Sequence, residues 1–208
     1  MNAYYQSGHG SGRVKESFFV EDHVEQIVIN WLGEEKEMQI CVTDPANHEH
    51  KNFTVKKYKT DWLAGGILHR KIINDPAPGL WHLAIPSYQG AYMLNIQYQS
   101  PINQEHQIST TVTDVIEINY TGKEEYSDLD HTKFDILIEF ISPQKRRARR
   151  INVERITAGH KVVIPPFADG VYNLTIQLTG KTKNGYTFQR TMFDSVFARK
   201  KRQANKFL

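Results

Sequence analysis

Two stretches decide the reading of this sequence. Gly90–Gln97 is GAYMLNIQ, and Gly170–Gln177 is GVYNLTIQ. Glycine, tyrosine, leucine, isoleucine and glutamine occupy matching places in both. Successive side chains of a strand point to opposite faces, so Tyr92, Leu94 and Ile96 share one side, as do Tyr172, Leu174 and Ile176. Each glycine frees the backbone to turn into its strand. Each tyrosine hydroxyl is then placed to cap a loop at the sheet edge, as in a tyrosine corner. A fainter echo lies upstream, where Ile40–Pro45 (ICVTDP) and Ile138–Pro143 (IEFISP) share a strand-then-proline cadence. The repeat predicts a duplicated β fold.

The same two-residue period runs through the rest of the chain. Val24–Leu32 (VEQIVINWL), Met38–Thr43 (MQICVT) and Phe53–Tyr58 read as strands. Asp44-Pro45, Asn74-Asp75-Pro76, Pro78-Gly79, Asp169-Gly170 and Asn184-Gly185 punctuate them as turns. Asp61–Arg70 is the best candidate for a short helix, but Gly65-Gly66 argues against it. The expectation is an all-β chain of two tandem β-sandwich, immunoglobulin-like domains. They span residues 14–100 and 108–198, with the polar Ser100–Gln107 (SPINQEHQ) between them. A flexible arm over 1–13 and a basic tail over 199–208 complete the outline. With 208 residues, 39% of them hydrophobic, the chain can build cores for two domains.

The single cysteine, Cys41, excludes an internal disulfide and a cysteine-based zinc site. No apolar run is long enough to cross a membrane as a helix. Met1–Gly12 lacks the apolar core of a signal peptide. The chain is therefore either intracellular or a segment of a longer exported protein.

The common catalytic signatures are not in the sequence. None of Ser7, Ser11, Ser87, Ser100 and Ser195 sits in a G-x-S-x-G elbow. Gly8-His9-Gly10-Ser11-Gly12 reads as a linker. Cys41, mid-strand, lacks the features that lower a thiol pKa. No nucleotide-binding motif is present, and the expectation is no catalytic residue and no cofactor. His48 and His50 in DPANHEH, with Asp44 beside them, are weak candidates for metal binding. Glu124–His131 (EEYSDLDH) clusters carboxylates without a calcium-loop spacing. Gln144–Arg150 (QKRRARR) is the densest charge. Arg146, Arg147, Arg149 and Arg150 suit an anionic surface polymer or glycan, against the plainer alternative of a solvated hairpin tip. No aromatic side chains interleave with them, which disfavours single-stranded nucleic acid. Trp31 and Trp81 read as core. Trp62 is the tryptophan most suited to an exposed platform.

The order of pieces in the first half carries a resemblance. FFVEDHVEQIVINWL is followed by MQICVTDP, then DPAPGLWHLAI with Pro76, Gly79 and Trp81, then GAYMLNIQY. This resembles the β-sandwich modules that accompany von Willebrand A or lipase-like hydrolase domains in extracellular proteins. The second half, with Asp169, Gly170 and Tyr172, is similar to their immunoglobulin-like or pre-albumin-like units. The resemblance implies an extracellular or cell-surface accessory module, structural, adhesive or polymer-binding, whose partners are other domains of the same protein. Its alternatives are the C-terminal portion of a secreted lipase-like hydrolase with catalytic residues upstream, or a metal-dependent protein with a loop-built His/Asp site. A cytoplasmic location is the alternative to export.

Overall fold

The structure is a computed structural model. It describes residues 3–35, 37–60, 63–102, 105–111, 115–121, 127–141, 146–153, 161–164 and 170–198. Side-chain surroundings are described for 3–35, 37–57, 66–102, 170–195 and 197. The described residues form strands and turns, with no helix among them. Trp62, Glu124–Tyr126 and the tail lie outside the described residues.

The first half contributes β1 (Ala3–Val20), β2 (Gln26–Gly33), β3 (Cys41–Thr43), β4 (Glu49–His50), β5 (Thr54–Thr60), β6 (Leu63–Asn74) and β7 (Gly79–Gln99). They form one sheet in the order β4-β3-β7-β2-β6-β5, with β1 also paired to β7. The β7 strand organises it. β1 runs antiparallel along one side, from Ala3 opposite Gln97 to Val20 opposite Gly79. On the other side β3 meets residues 82–84 and β2 meets residues 93–99.

The alternation seen in sequence sorts the side chains. Ile27, Ile29 and Trp31 of β2 and Leu94, Ile96 and Tyr98 of β7 face one core with Phe18, Trp81 and Leu83. Burying such side chains stabilises the fold by roughly 1.5–3 kcal/mol each. Trp31 and Trp81 are both core residues, as read from sequence. The Trp81 indole donates to the Ala77 carbonyl at 2.9 Å, tying the Pro76–Gly79 turn to its strand.

The second half contributes β8 (Glu105–Thr111), β9 (Val115–Thr121), β10 (Ser127–Ile141), β11 (Arg146–Val153), β12 (Lys161–Ile164), β13 (Gly170–Thr182) and β14 (Thr187–Ala198). Their sheets run β11-β10-β13-β14 and β12-β9-β8. Asn184-Gly185 makes the β13–β14 turn, with Gly185 N–H bonded to the Thr182 carbonyl at 2.9 Å.

The chain packs as two compact units, and neither is continuous in sequence. One is Met1–Asn103 with Thr179–Arg190; the other is Gln104–Leu178 with Thr191–Leu208. The first unit thus includes the tip of the β13–β14 hairpin. There Arg190 and Glu21 form a buried pair, 1% and 0% exposed. Both guanidinium Nη atoms reach the carboxylate. The Ser100 hydroxyl donates to the same carboxylate at 2.7 Å, and the guanidinium lies 4.4 Å from the Tyr98 ring centroid. At the turn, Asn184 donates to Asp22 at 2.5 Å.

Two expectations change here. Residues 3–13, expected in a flexible arm, belong to β1. The reason is steric. A Cβ at Gly8 would sit 2.5 Å from the Tyr92 hydroxyl, and one at Gly10 would sit 2.8 Å from the Tyr88 ring. These glycines admit large tyrosines against the strand. The Tyr92 hydroxyl also caps no loop; it donates to Glu16 across β1 and β7. Tyr88 takes the turn-closing role, donating to the Ala91 carbonyl at 2.5 Å and accepting from Glu34 N–H at 3.4 Å. The two repeat glycines do behave alike: φ is +117° at Gly90 and +150° at Gly170, a region that favours glycine.

Candidate functional site

The strongest convergence of titratable side chains predicted from sequence is at the turn between β3 and β4. Proline and alanine follow Asp44, and the chain returns as His48, Glu49 and His50. The Asp44 carboxylate closes this turn. Its Oδ1 accepts from Ala46 N–H at 2.9 Å and His48 N–H at 2.8 Å. Its Oδ2 lies 3.0 Å from His48 Nδ1. An ionised carboxylate only accepts, so His48 donates. His50 Nε2 lies 3.5 Å from that oxygen, too long for a good hydrogen bond, and its ring packs 5.2 Å from Trp81. Burial opposes the Asp44 charge, but the His48 backbone and side-chain bonds, with His50, outweigh it and hold the carboxyl below its usual pKa.

The sequence thus brings Asp44, His48 and His50 together, as their spacing suggested. The geometry is that of an Asx-type turn cap, with three of the carboxylate's contacts already engaged in the turn. Among the described residues, no group of three or more His, Cys, Asp and Glu side chains is arranged to hold a metal ion.

Beside this turn lies a groove of about 570 Å³, lined in part by Met38, Cys41, Glu49, Lys51 and Phe53. Cys41 is half-buried, whereas Ile40 and Val42 are in the core, as strand alternation requires. Burial, followed by the charge of Glu49, pushes its thiol pKa up. That keeps the sulfur protonated and a poor nucleophile at neutral pH. Glu49 and Lys51 pair at 2.5 Å.

Sequence reasoning missed a third arrangement. Ser17 on β1 sits opposite His82 on β7, and its hydroxyl lies 2.9 Å from His82 Nδ1. The pair is exposed on a sheet face, and the residues are 65 apart in sequence. Only the strand register could have revealed it. Of the remaining sequence candidates, Trp62 lies outside the described residues and the arginines are placed by strand register. Arg146, Arg147, Arg149 and Arg150 lie within β11, where Arg149 pairs with Ile138 and Arg147 with Phe140. The four arginines therefore lie in a strand at the end of its four-stranded sheet.

No protein-family model matches the sequence, and no curated protein matches it. The fold does have a solved counterpart. The Bacillus licheniformis lipase BlEst2, in its propeptide form, superposes with a TM-score of 0.71 and 24% sequence identity. The match covers 95% of this chain and 41% of the lipase chain. This chain therefore spans less than half the length of the protein whose fold it shares.

Proposed function

We propose that this chain is a non-catalytic, all-β module that accompanies a lipase-like hydrolase outside the cell. The observation that carries the reading is the coverage of the lipase match. Nearly all of this chain has a counterpart in BlEst2, while more than half of that lipase lies beyond the shared fold, leaving room for separate catalytic machinery. The local chemistry supports the same view. The Cys41 thiol is held protonated, and His48 is engaged in closing a turn. His69, 1% exposed, has Nε2 at 3.0 Å from the Glu35 carbonyl. The Ser17–His82 pair is exposed on a sheet face.

The test has two arms. The purified 208-residue chain is assayed on nitrophenyl butyrate and nitrophenyl decanoate, and no turnover above buffer is expected. Turnover that disappears in Ser17→Ala or His82→Ala would overturn the reading. In the second arm, the hydrolase encoded with this chain is measured with and without it. Its activity or thermal stability is expected to change, and indifference to the chain would count against the association.

A second reading adds polymer binding. Four arginines within five residues of β11 concentrate positive charge in one short segment, which suits anionic glycans or surface polymers. It is compatible with the first reading and is tested separately by its salt dependence.

A further inference from the structure

The first sheet has a second face on which exposed apolar side chains are mixed with polar ones. Paired residues of antiparallel strands project to the same side. Positions 28, 30 and 32 of β2, 68, 70 and 72 of β6, and 93, 95 and 97 of β7 therefore share the side opposite the core. Val28, Leu32, Ile72 and Met93 stand there. None belongs to the core cluster, and Ile72 and Met93 are 52% and 41% exposed. On this side β2 carries Gln26, Val28, Asn30 and Leu32, so polar and apolar side chains alternate along it.

A polar row crosses the middle of this face. Arg70 Nε donates to Asn30 Oδ1 at 2.8 Å, and Asn30 Nδ2 donates to Asn95 Oδ1 at 3.1 Å. Asn30 and Asn95 are more than nine-tenths buried, yet Asn95 Nδ2 has no hydrogen-bond partner. The nine face positions contain no Asp or Glu, and Arg70 is charged. Lys56, in register with Leu68, adds a second positive charge at the margin.

We propose that this outer face of β2, β6 and β7 is the docking surface for the hydrolase domain, through a patch of that domain that is apolar and carries carboxylates. The inference rests on the function proposed above. The occupant is chosen by charge complementarity with a donor-rich, acid-free surface, and by the length of the lipase chain that lies outside the shared fold.

The test titrates the hydrolase domain encoded with this chain against four forms of the full chain. These are wild type, Ile72→Asp with Met93→Asp, Arg70→Glu, and Lys183→Glu at the exposed β13–β14 turn as a control. The two face variants should weaken binding by about tenfold or more, and the control should not. Because position 72 is half exposed, folding of the variants is checked by unchanged far-UV dichroism and melting. Wild-type affinity that survives both face variants overturns the surface while leaving the function standing. A wild-type chain that binds no hydrolase sinks the function and this occupant with it. Sedimentation of the chain alone closes the remaining route: self-association abolished by the face variants would assign the face to a second copy and overturn the proposal.

Discussion

Asp44 shows how one side chain can tie the stability of a turn to pH. Its carboxylate accepts from two backbone N–H groups and from His48, and its pKa lies below the usual aspartate value. A group depressed in the folded state contributes stability above its unfolded pKa and loses it as pH falls through the lower folded value. The Asp44 contribution should therefore be complete at neutral pH and disappear below about pH 4, the range of an ordinary aspartate. Urea denaturation of Asp44→Asn from pH 7 to pH 2.5 checks this. The variant should be weaker by about 1–2 kcal/mol at pH 7, and the gap should close towards pH 2.5. A gap independent of pH would assign the loss to packing rather than to charge. Gly8 carries a different residue-scale prediction. Gly8→Ala places a methyl group against the Tyr92 ring, whose hydroxyl already holds Glu16. The collision should cost about 1–3 kcal/mol, seen as a melting point lowered by several degrees. An unchanged melting point would show that Tyr92 moves aside freely.

The hairpin of β13 and β14 brings one buried charge pair into the first unit. Ion pairs of this kind are costly to half-remove, because the remaining charge stays buried without its partner. Arg190→Met should therefore destabilise by about 3–5 kcal/mol, whereas pairing it with Glu21→Met should recover much of the loss. A double variant as unstable as the single one would mean that the guanidinium's packing on Tyr98, rather than its charge, holds the hairpin. For β11 the expectation is electrostatic. Binding to a heparin column should weaken steeply as salt rises and should fall sharply in the Arg146, Arg147, Arg149 and Arg150 quadruple alanine variant. Unchanged retention would remove the polymer-binding reading. These elements also mark what the sequence could and could not show. The strands were legible because apolar residues alternate, and Trp31, Trp81 and Ile40 fell in the core accordingly. The Asp44–His48–His50 cluster was legible because its members are within seven residues. Glu21 with Arg190, Ser17 with His82, and Asn30 with Asn95 were not, since register and topology bring distant residues together. The glycines of GHGSG misled for a physical reason: the same residue that loosens a linker also lets a strand lie against tyrosine rings.

At the scale of the whole chain, two sequential modules imply that residues 1–103 fold alone. The packing implies otherwise. The unit containing Met1–Asn103 also takes in Thr179–Arg190. Removing everything after residue 103 takes away Arg190, which pairs with Glu21 and lies over the Tyr98 ring, together with the hairpin that helps to bury them. Losing that packing and opening Tyr98 to water is worth several kcal/mol, a large share of the roughly 5–15 kcal/mol by which domains of this kind are stable. The fragment 1–103 should therefore melt well below the full chain or fail to melt cooperatively, and it should bind a hydrophobic dye that the full chain does not. Glu21→Gln in the fragment should change little, because without the hairpin the carboxylate is open to water. The same substitution in the full chain should destabilise, because there it strands Arg190. A loss from this mutation in the full chain and none in the fragment would identify a discontinuous unit. A fragment as stable as the whole would restore the picture of two modules joined end to end.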